Sequence, residues 1–146
     1  LAFVIFATGT PNFLVYMGLD NAAEVMKGDF NTTKLLVAFC ISAAMNLIYA
    51  PVMMTFHKIT DTHIVDNGGT LAGFLRPIRF KEIFVKMDWA VQWNFVFKKT
   101  IPFFWIPAHT ITFLMAPEWR VLFAAILGIM LGVFLAIAAQ LGQNRK

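Results

Sequence analysis

Charged residues, cysteine and serine are all scarce in this sequence. Charged residues make up 14% of its 146 positions, against roughly 25% in soluble domains. Cys40 is the single cysteine, so an internal disulfide is excluded and a small buried hydrophobic role is expected. Ser42 is the single serine and lies in an apolar run. Because a serine nucleophile needs a positioned base, the sequence favours a packing role for Ser42.

The motifs of common cofactor sites are also missing. The chain has no glycine-rich phosphate loop, no cysteine pair and no Rossmann fingerprint. Its net charge of +4 could suggest a nucleic-acid partner, but its aromatic residues lie in apolar runs, whereas base stacking needs aromatic rings on an exposed surface. We therefore expect no enzyme activity, no cofactor and no nucleic-acid partner.

Apolar residues are abundant, at 59% of the chain with a mean hydropathy of +0.69. The longest apolar run extends from Trp119 to Leu141, and no charged side chain lies between Arg120 and Gln140. A helix needs roughly 20 such residues to cross the hydrocarbon core of a bilayer. We interpret this run as a membrane helix; the alternative is a buried helix of a soluble protein.

Two of the apolar runs carry small residues at every fourth position, which places them on one face of a helix. In lipid, such residues let helix backbones approach closely, and this contact replaces the hydrophobic effect as the source of association. The two faces are expected to pack in the same bundle. The predicted packing residues are Ala38, Ser42, Ala124, Gly128, Gly132 and Ala136.

The chain is predicted to be one all-α integral membrane domain over residues 1–146, a bundle of about four transmembrane helices and one amphipathic interfacial helix. The predicted spans are 1–19, 34–56, 100–116 and 119–141, and a polar loop covers 57–99. Within that loop, 78–91 predicts the amphipathic helix, which lies either in the headgroup plane or against neighbouring protein. The predicted interfacial anchors are Trp89, Trp93, Trp119 and Arg120.

Local signals predict several helix ends. Asn31 is expected to cap the second span, and Pro51 to kink it. Residues 66–69 read Asp-Asn-Gly-Gly and predict a turn. Pro117 is expected to open the last helix after almost no loop, which makes the third and fourth spans a tight hairpin.

The positive charges are unevenly distributed. Seven of the twelve lysines and arginines lie in loop 57–99 and two in the tail, against three on the other side of the predicted spans. The positive-inside rule therefore predicts both termini on the cytoplasmic side of a bacterial inner membrane, or its equivalent in an organelle. The chain begins at Leu1 without a methionine, so we expect residues to be missing before it. The expected partners are the lipid bilayer and further copies of the chain or other membrane subunits.

Four polar or amphipathic side chains within the spans are candidates for contact with a solute. His109 is predicted to share a helix face with Trp105 and Thr112, and Asn46 lies near the middle of the second span. Ionisable residues inside a membrane are costly and usually face the bundle interior or a water-filled cavity. The structural alternative is a neutral His109 bonded to a carbonyl that a proline leaves free, and an interhelical hydrogen bond for Asn46.

His57, Asp61 and His63 are the candidates for a metal site, because imidazole and carboxylate groups suit zinc or iron. No second histidine motif completes a ligand set. We therefore predict no metal, and an interfacial hydrogen bond between His57 and Asp61 is the favoured interpretation.

The segment FFWIPAHTITFLMAPEWRVLF, residues 103–123, resembles the signature of the Mpv-seventeen and peroxisomal membrane protein family. The resemblance covers the second half of the chain and implies a small four-span membrane protein that is often considered channel-like. His109, Thr110 and Thr112 stand where the family has glutamine and asparagine. The residues that carry the resemblance are Trp105, Pro107, Phe113, Pro117, Trp119 and Arg120.

Two function classes follow. The first is a small channel- or transporter-like protein for ions or small solutes. The second is a non-catalytic accessory subunit that holds a larger membrane complex together. A continuous hydrated path past His109 and Asn46 would favour the first class, and a small-residue face left open by the bundle would favour the second.

Overall fold

The structure, a computed structural model, describes the backbone of residues 1–143 and the side chains of 1–116, 118–130 and 133. These residues form helices and no strand, which confirms the prediction of an all-α chain. A π-helix (Gln92–Trp105) lies between the seventh and eighth α-helices. The α-helices are α1 (Ala2–Tyr16), α2 (Ala22–Val25), α3 (Thr32–Ile48), α4 (Ala50–Asp66), α5 (Leu71–Phe74), α6 (Phe80–Lys86), α7 (Trp89–Val91), α8 (Ile106–Leu114) and α9 (Pro117–Gln143).

Helix α3 begins with the predicted cap. The backbone of Asn31 is extended, and its side-chain oxygen accepts a hydrogen bond of 2.8 Å from the amide of Lys34. The first turn of any α-helix leaves its amide groups without helical partners, and this cap satisfies one of them. The local sequence is therefore sufficient to start this helix.

Helices α3 and α4 meet at a bend of 45°. Pro51 lies in the first turn of α4, where its missing N–H and its ring prevent a straight continuation of the preceding helix. The predicted kink is confirmed. Helix α4 then continues to Asp66, so residues 57–66 of the predicted polar loop are helical, while the division of the chain into spans and loop stays a prediction. The polar side chains of residues 57–66 cover the outer face of an amphipathic helix, while Ile59 and His63 are buried on its inner face.

The turn predicted after α4 is present. Gly68 and Gly69 have φ angles of 78° and 68°, a region in which side chains larger than glycine are strained. The chain therefore reverses direction there and leads into α5.

The core lies where α3 packs against α8 and α1. One face of α3 contributes Val37, Ala38 and Ile41, all fully buried, and α8 contributes Phe113 at 1% exposure. Ala38 and Ser42, two of the predicted packing residues, are both fully buried on this face. The small-residue face of α3 thus packs against α8, its most extensive helix contact among the described residues.

The predicted amphipathic helix over 78–91 is two short helices, α6 and α7. The break falls at Asp88, whose side chain caps α7 by accepting a hydrogen bond of 3.0 Å from the amide of Val91. Ile83 and Met87 are buried against Ile59 of α4. The inner side of this segment therefore packs on protein, which was one of the two predicted placements, and the prediction of one continuous helix is wrong because a side-chain cap interrupts it.

The third predicted span begins earlier than residue 100, because the π-helix starts at Gln92 and continues into α8 without a loop. Helix α9 begins at Pro117, as predicted. Trp119 is 58% exposed. Arg120, the other predicted anchor on this helix, binds protein. It donates to two carbonyls at the end of α8, through Nε to Met115 at 3.0 Å and through Nη2 to Phe113 at 3.2 Å.

The small-residue face of α9 is not packed against α3 in the described part of the chain. Helix α9 contacts the rest of the protein mainly through α8. Gly128 is exposed, and a methyl group added there would meet no described atom within 4 Å. Ala124 is half-buried. Gly132 and Ala136, the other two predicted packing positions on this helix, lie outside the described side chains.

Among the residues that the structure describes, no single helix is both long and apolar enough to cross a membrane. The bent pair of α3 and α4 meets the requirements of length and composition together. The four predicted membrane crossings therefore stay predictions.

The packing of α3 predicts that Ala38→Leu destabilises the fold. The larger side chain has no room in a fully buried position, and overpacking of this kind costs about 1–3 kcal/mol. The free energy of unfolding, measured by denaturant titration in detergent, should fall accordingly. Ala125→Leu makes the same change at an exposed position of α9 and should leave that free energy nearly unchanged. Equal stability of the two variants would contradict the described packing.

Candidate functional site: a polar pair between α3 and α8

The buried face of α3 contains two polar residues one helical turn apart, Ser42 and Asn46. They are 0% and 1% exposed. The amide nitrogen Nδ2 of Asn46 donates to the backbone carbonyl of Ser42 at 2.8 Å. Because this bond lies within one helix turn, it sets the orientation of the Asn46 amide before any other helix is considered.

His109 on α8 completes a hydrogen bond across the helix interface. Its Nδ1 lies 3.0 Å from Nδ2 and 3.1 Å from Oδ1 of Asn46. An asparagine amide offers both donors and an acceptor, and a neutral histidine carries its proton on either ring nitrogen. Asn46 can therefore pair with Nδ1 when that nitrogen is an acceptor and also when it is a donor. The pair tolerates a change of tautomer without losing its contact.

Two aromatic rings cover His109. The ring of Trp105 stacks on it with centroids 5.3 Å apart and an angle of 23° between the planes. The ring of Phe3 on α1 meets it edge-on at 5.3 Å and 84°. His109 itself is half-buried. Side chains from three elements, α1, α3 and the π-helix, thus hold the imidazole of α8 in place.

A second bond joins the same two helices. The hydroxyl of Ser42 donates to the carbonyl of Ile106 at 2.7 Å, and the hydroxyl of Thr110 donates to the same carbonyl at 2.7 Å. This carbonyl lies at the change from the π-helix to α8, immediately before Pro107. Ser42 therefore does more than provide a small side chain for packing: it ties α3 to the first turn of α8.

Three of the four candidate residues come together. Asn46, His109 and Trp105 form one cluster, whereas Thr112 is fully buried and donates to the carbonyl of Ala108 on its own helix, at 2.9 Å. No sequence pattern indicates Phe3, because only the packing of α1 on α3 brings its ring to His109.

The cluster retains a hydrogen-bond donor without an acceptor. The indole nitrogen Nε1 of Trp105 is buried and has no hydrogen-bond partner among the described residues, and the same holds for Nε2 of Gln92 at the start of the π-helix. Leaving a buried donor unpaired costs about 1–3 kcal/mol. Donors of this kind are available to an acceptor that enters the bundle.

The metal candidates do not converge in the described part of the chain. His57 and Asp61 are exposed on α4, whereas His63 is 2% exposed and faces the protein. Within the described residues no three histidine, cysteine, aspartate or glutamate side chains form a group that could hold a metal ion.

The predicted anchors differ in their surroundings. Trp93 is exposed, and its ring lies 5.9 Å from the Nζ of Lys98. Trp89 is also exposed and donates through Nε1 to the carbonyl of Phe84 at 3.0 Å. Arg120 caps α8 as described above, a role whose only sequence signal is its position shortly after a helix end.

The chain matches no known family model, no curated protein and no solved structure. The resemblance of residues 103–123 to the Mpv-seventeen and peroxisomal membrane protein family therefore stays a prediction.

The geometry predicts that Asn46 and His109 are energetically coupled. In a double-mutant cycle of Asn46→Ala and His109→Ala, the coupling free energy should be about 0.5–2 kcal/mol, the range for bonded polar pairs between helices. Unfolding in detergent is the measurement. As a control, Asn46→Ala combined with Thr62→Ala should be additive, since Thr62 bonds only to Lys58 on its own helix. Additivity of the Asn46 and His109 variants would show that the pair does not bond in solution.

Proposed function

We propose that this protein is a small integral membrane protein of channel- or transporter-like type, in which the Asn46–His109 pair contacts the ion or small solute. The observation that carries the proposal is this hydrogen-bonded pair, which places an ionisable imidazole at the main contact between helices in the described part of the chain. An ionisable residue in such a place is a functional candidate by default, because a purely apolar contact would be easier to accommodate in lipid.

Exposed apolar side chains support the membrane part of the proposal. Large apolar residues are exposed on α3, on α4 and on the described part of α9, for example Ile48 at 66%, Val52 at 67% and Val121 at 79%. Soluble proteins rarely leave large contiguous apolar patches in water. Lipid is the solvent that such surfaces fit.

The length of the last apolar run also suits a bilayer. The described side chains of α9 end at residues 130 and 133, short of a full crossing, but the sequence has no charged side chain over residues 121–139, and an α-helix rises 1.5 Å per residue. A hydrocarbon core is about 30 Å thick. We propose that α9 crosses the membrane with its ends in the two interfaces.

The chemistry of the pair suggests how a solute or proton would be handled. Asn46 can bond to Nδ1 of His109 in either tautomer, so His109 can exchange a proton at Nε2 while the helix contact persists. Phe3 and Trp105 cover the imidazole, so this arrangement corresponds to a closed state. Displacement of α1 relative to α8 would uncover it, and Phe3 would then act as the gate.

The distribution of bases supports a membrane orientation. The loop rich in lysine and arginine would face the cytoplasm or its organellar equivalent, together with both termini. The proposed membrane is a bacterial inner membrane or an organellar membrane.

A second function is an accessory subunit of a larger membrane complex. The observation that favours it is the open face of α9, where a methyl group added to Gly128 would meet no described atom within 4 Å. Glycine on a lipid-facing helix permits close approach of another helix, which could belong to a second copy of this chain or to another membrane subunit.

The channel proposal predicts flux that depends on His109. In liposomes that contain the purified protein, proton flux and small-solute flux should exceed those of empty liposomes. His109→Ala should lower the rate at least about tenfold, equivalent to about 1.4 kcal/mol in the barrier. Phe3→Ala removes the ring that covers His109 edge-on. It should therefore raise the flux rate, because the imidazole would be uncovered.

His57→Ala is the matched control, because His57 is an exposed histidine on α4 and its loss should leave flux unchanged. Wild-type liposomes that leak no faster than empty ones, or a His109→Ala rate equal to wild type, would refute the channel proposal.

The accessory-subunit proposal predicts a stable complex. Extraction in mild detergent should then yield the chain with a second membrane subunit at fixed stoichiometry, visible by native mass spectrometry. Gly128→Leu should disrupt that complex, since its side chain would occupy the space a partner helix needs, whereas Ala125→Leu serves as a comparison on the same helix. Recovery of the chain alone, without a partner, would count against this function.

A further inference from the structure

A second polar site lies outside the bundle, in a pocket between α4, α6 and the segment that follows α5. Its volume is about 490 Å³, and it is separate from the Asn46–His109 pair. The wall contains three basic and two acidic side chains together with one histidine. These residues are Arg76, Arg79, Lys86, Asp66, Glu82 and His63.

His63 is the most informative residue of the wall. It is 2% exposed, and its Nε2 is buried without a hydrogen-bond partner among the described residues. Asn67 sets its tautomer. Nδ2 of Asn67 donates to the carbonyl of His63 at 2.8 Å and lies 3.2 Å from Nδ1 of His63, so Nδ1 is the acceptor.

In a neutral imidazole whose Nδ1 accepts a hydrogen bond, the proton is on Nε2. His63 lines the pocket, and its buried Nε2–H lacks an acceptor among the described residues. An unpaired buried donor destabilises the protein, and an oxygen atom of a ligand would remove that cost. A metal ion would need the lone pair of the same nitrogen, so this tautomer favours an anion over a cation.

The basic side chains have only weak partners of their own. Arg79 lies 3.5 Å from Glu82 and Lys86 lies 3.8 Å from Asp66, and all four side chains are well exposed. Exposed ion pairs of this kind contribute little to stability. Arg76 donates to the neutral side-chain oxygen of Asn67 at 3.4 Å. The three bases exceed the two carboxylates by one positive charge and are free to turn toward an anion.

A close backbone contact positions Arg76. Gly73 packs so tightly against Asn67 that a Cβ on Gly73 would collide with the Asn67 carbonyl. The amide of Arg76 then bonds to the carbonyl of Gly73 at 3.2 Å. Asn67 therefore bonds to two residues of the pocket wall. Its Nδ2 orients His63, and its side-chain oxygen accepts a hydrogen bond from Arg76.

We infer that this pocket binds a phosphate group, with the guanidinium of Arg76, the ammonium of Lys86 and the Nε2–H of His63 as its donors. Charge-assisted bonds from arginine and lysine to phosphate oxygens are among the stronger hydrogen bonds in proteins. The phosphate can be carried by a soluble phosphomonoester or by the headgroup of an anionic phospholipid. Both present the same oxygens to the same donors, and the pocket volume leaves room for the group attached to the phosphate.

The test uses the full chain, purified in an uncharged detergent, with inorganic phosphate and short-chain phosphatidic acid as separate probes. Thermal unfolding is followed at matched ionic strength, with potassium chloride as the salt control. A rise in Tm with both probes supports a site for any phosphate. A rise with inorganic phosphate alone assigns a soluble ligand, and a rise with phosphatidic acid alone assigns a lipid headgroup. No rise with either probe would overturn the inference.

Matched variants distinguish binding in the pocket from non-specific electrostatic attraction. Lys86→Gln and Arg76→Gln should each weaken binding of the active probe about tenfold, the effect of losing one charge-assisted bond. Lys81→Gln makes the same change on α6 at an exposed residue outside the pocket, and its affinity should equal that of the wild type. An equal loss in Lys81→Gln would show non-specific attraction and refute the site.

The tautomer of His63 gives a direct readout. In protein labelled with ¹⁵N-histidine, the resonance that disappears in His63→Gln should show a protonated Nε2 and should shift when the active probe is added. A His63 resonance that shows a protonated Nδ1, or that does not respond to the probe, would remove His63 from the site. This outcome is independent of flux, so the phosphate site and the channel proposal can fail separately.

Discussion

The contact between α3 and α8 organises the main helix bundle of the described residues. Small side chains on α3 let the two backbones approach, and Ser42 then reaches the carbonyl of Ile106 at 2.7 Å. That contact brings Asn46 to His109, provides the surface on which α1 packs, and fixes the change from π-helix to α-helix. Polar bonds at such a contact are specific, because each needs one register of the two helices. A shift by one residue would break both of them.

Polar groups of the described residues are satisfied in two ways. Threonine hydroxyls on α4 and α8 donate to carbonyls four residues earlier on the same helix, whereas Ser42 and Asn46 bond across to α8. A few buried donors remain unpaired among the described residues: Nε1 of Trp105, Nε2 of Gln92 and Nε2 of His63. Folding gains nothing from an unpaired buried donor. The donors of Trp105 and His63 therefore add to the two functional proposals, which rest on the Asn46–His109 pair and on the basic pocket.

Local signals proved reliable for the starts and kinks of helices. Asn31 caps α3, Pro51 bends the chain and Pro117 opens α9, because each effect depends on the backbone chemistry of one residue and its immediate neighbours. Where α4 ends is not evident from the sequence. A polar outer face on an amphipathic helix has the composition of a loop, and only burial of Ile59 and His63 distinguishes the two. The break between α6 and α7 at Asp88 is not visible in the sequence, because the helical pattern of apolar residues continues across it. The side-chain cap that Asp88 provides to α7 outweighs that pattern.

Composition and periodicity are local properties, so the sequence alone predicts a helical, apolar chain and identifies Asn46 and His109 as candidate polar residues within the predicted spans. Which helices meet depends on the tertiary structure. It pairs the small-residue face of α3 with α8, leaves the space beside Gly128 free of other described atoms, and brings Phe3 over His109. It also places His63 in the wall of a basic pocket, while His57 and Asp61 are exposed. These outcomes depend on contacts between residues far apart in the chain, which no local pattern encodes.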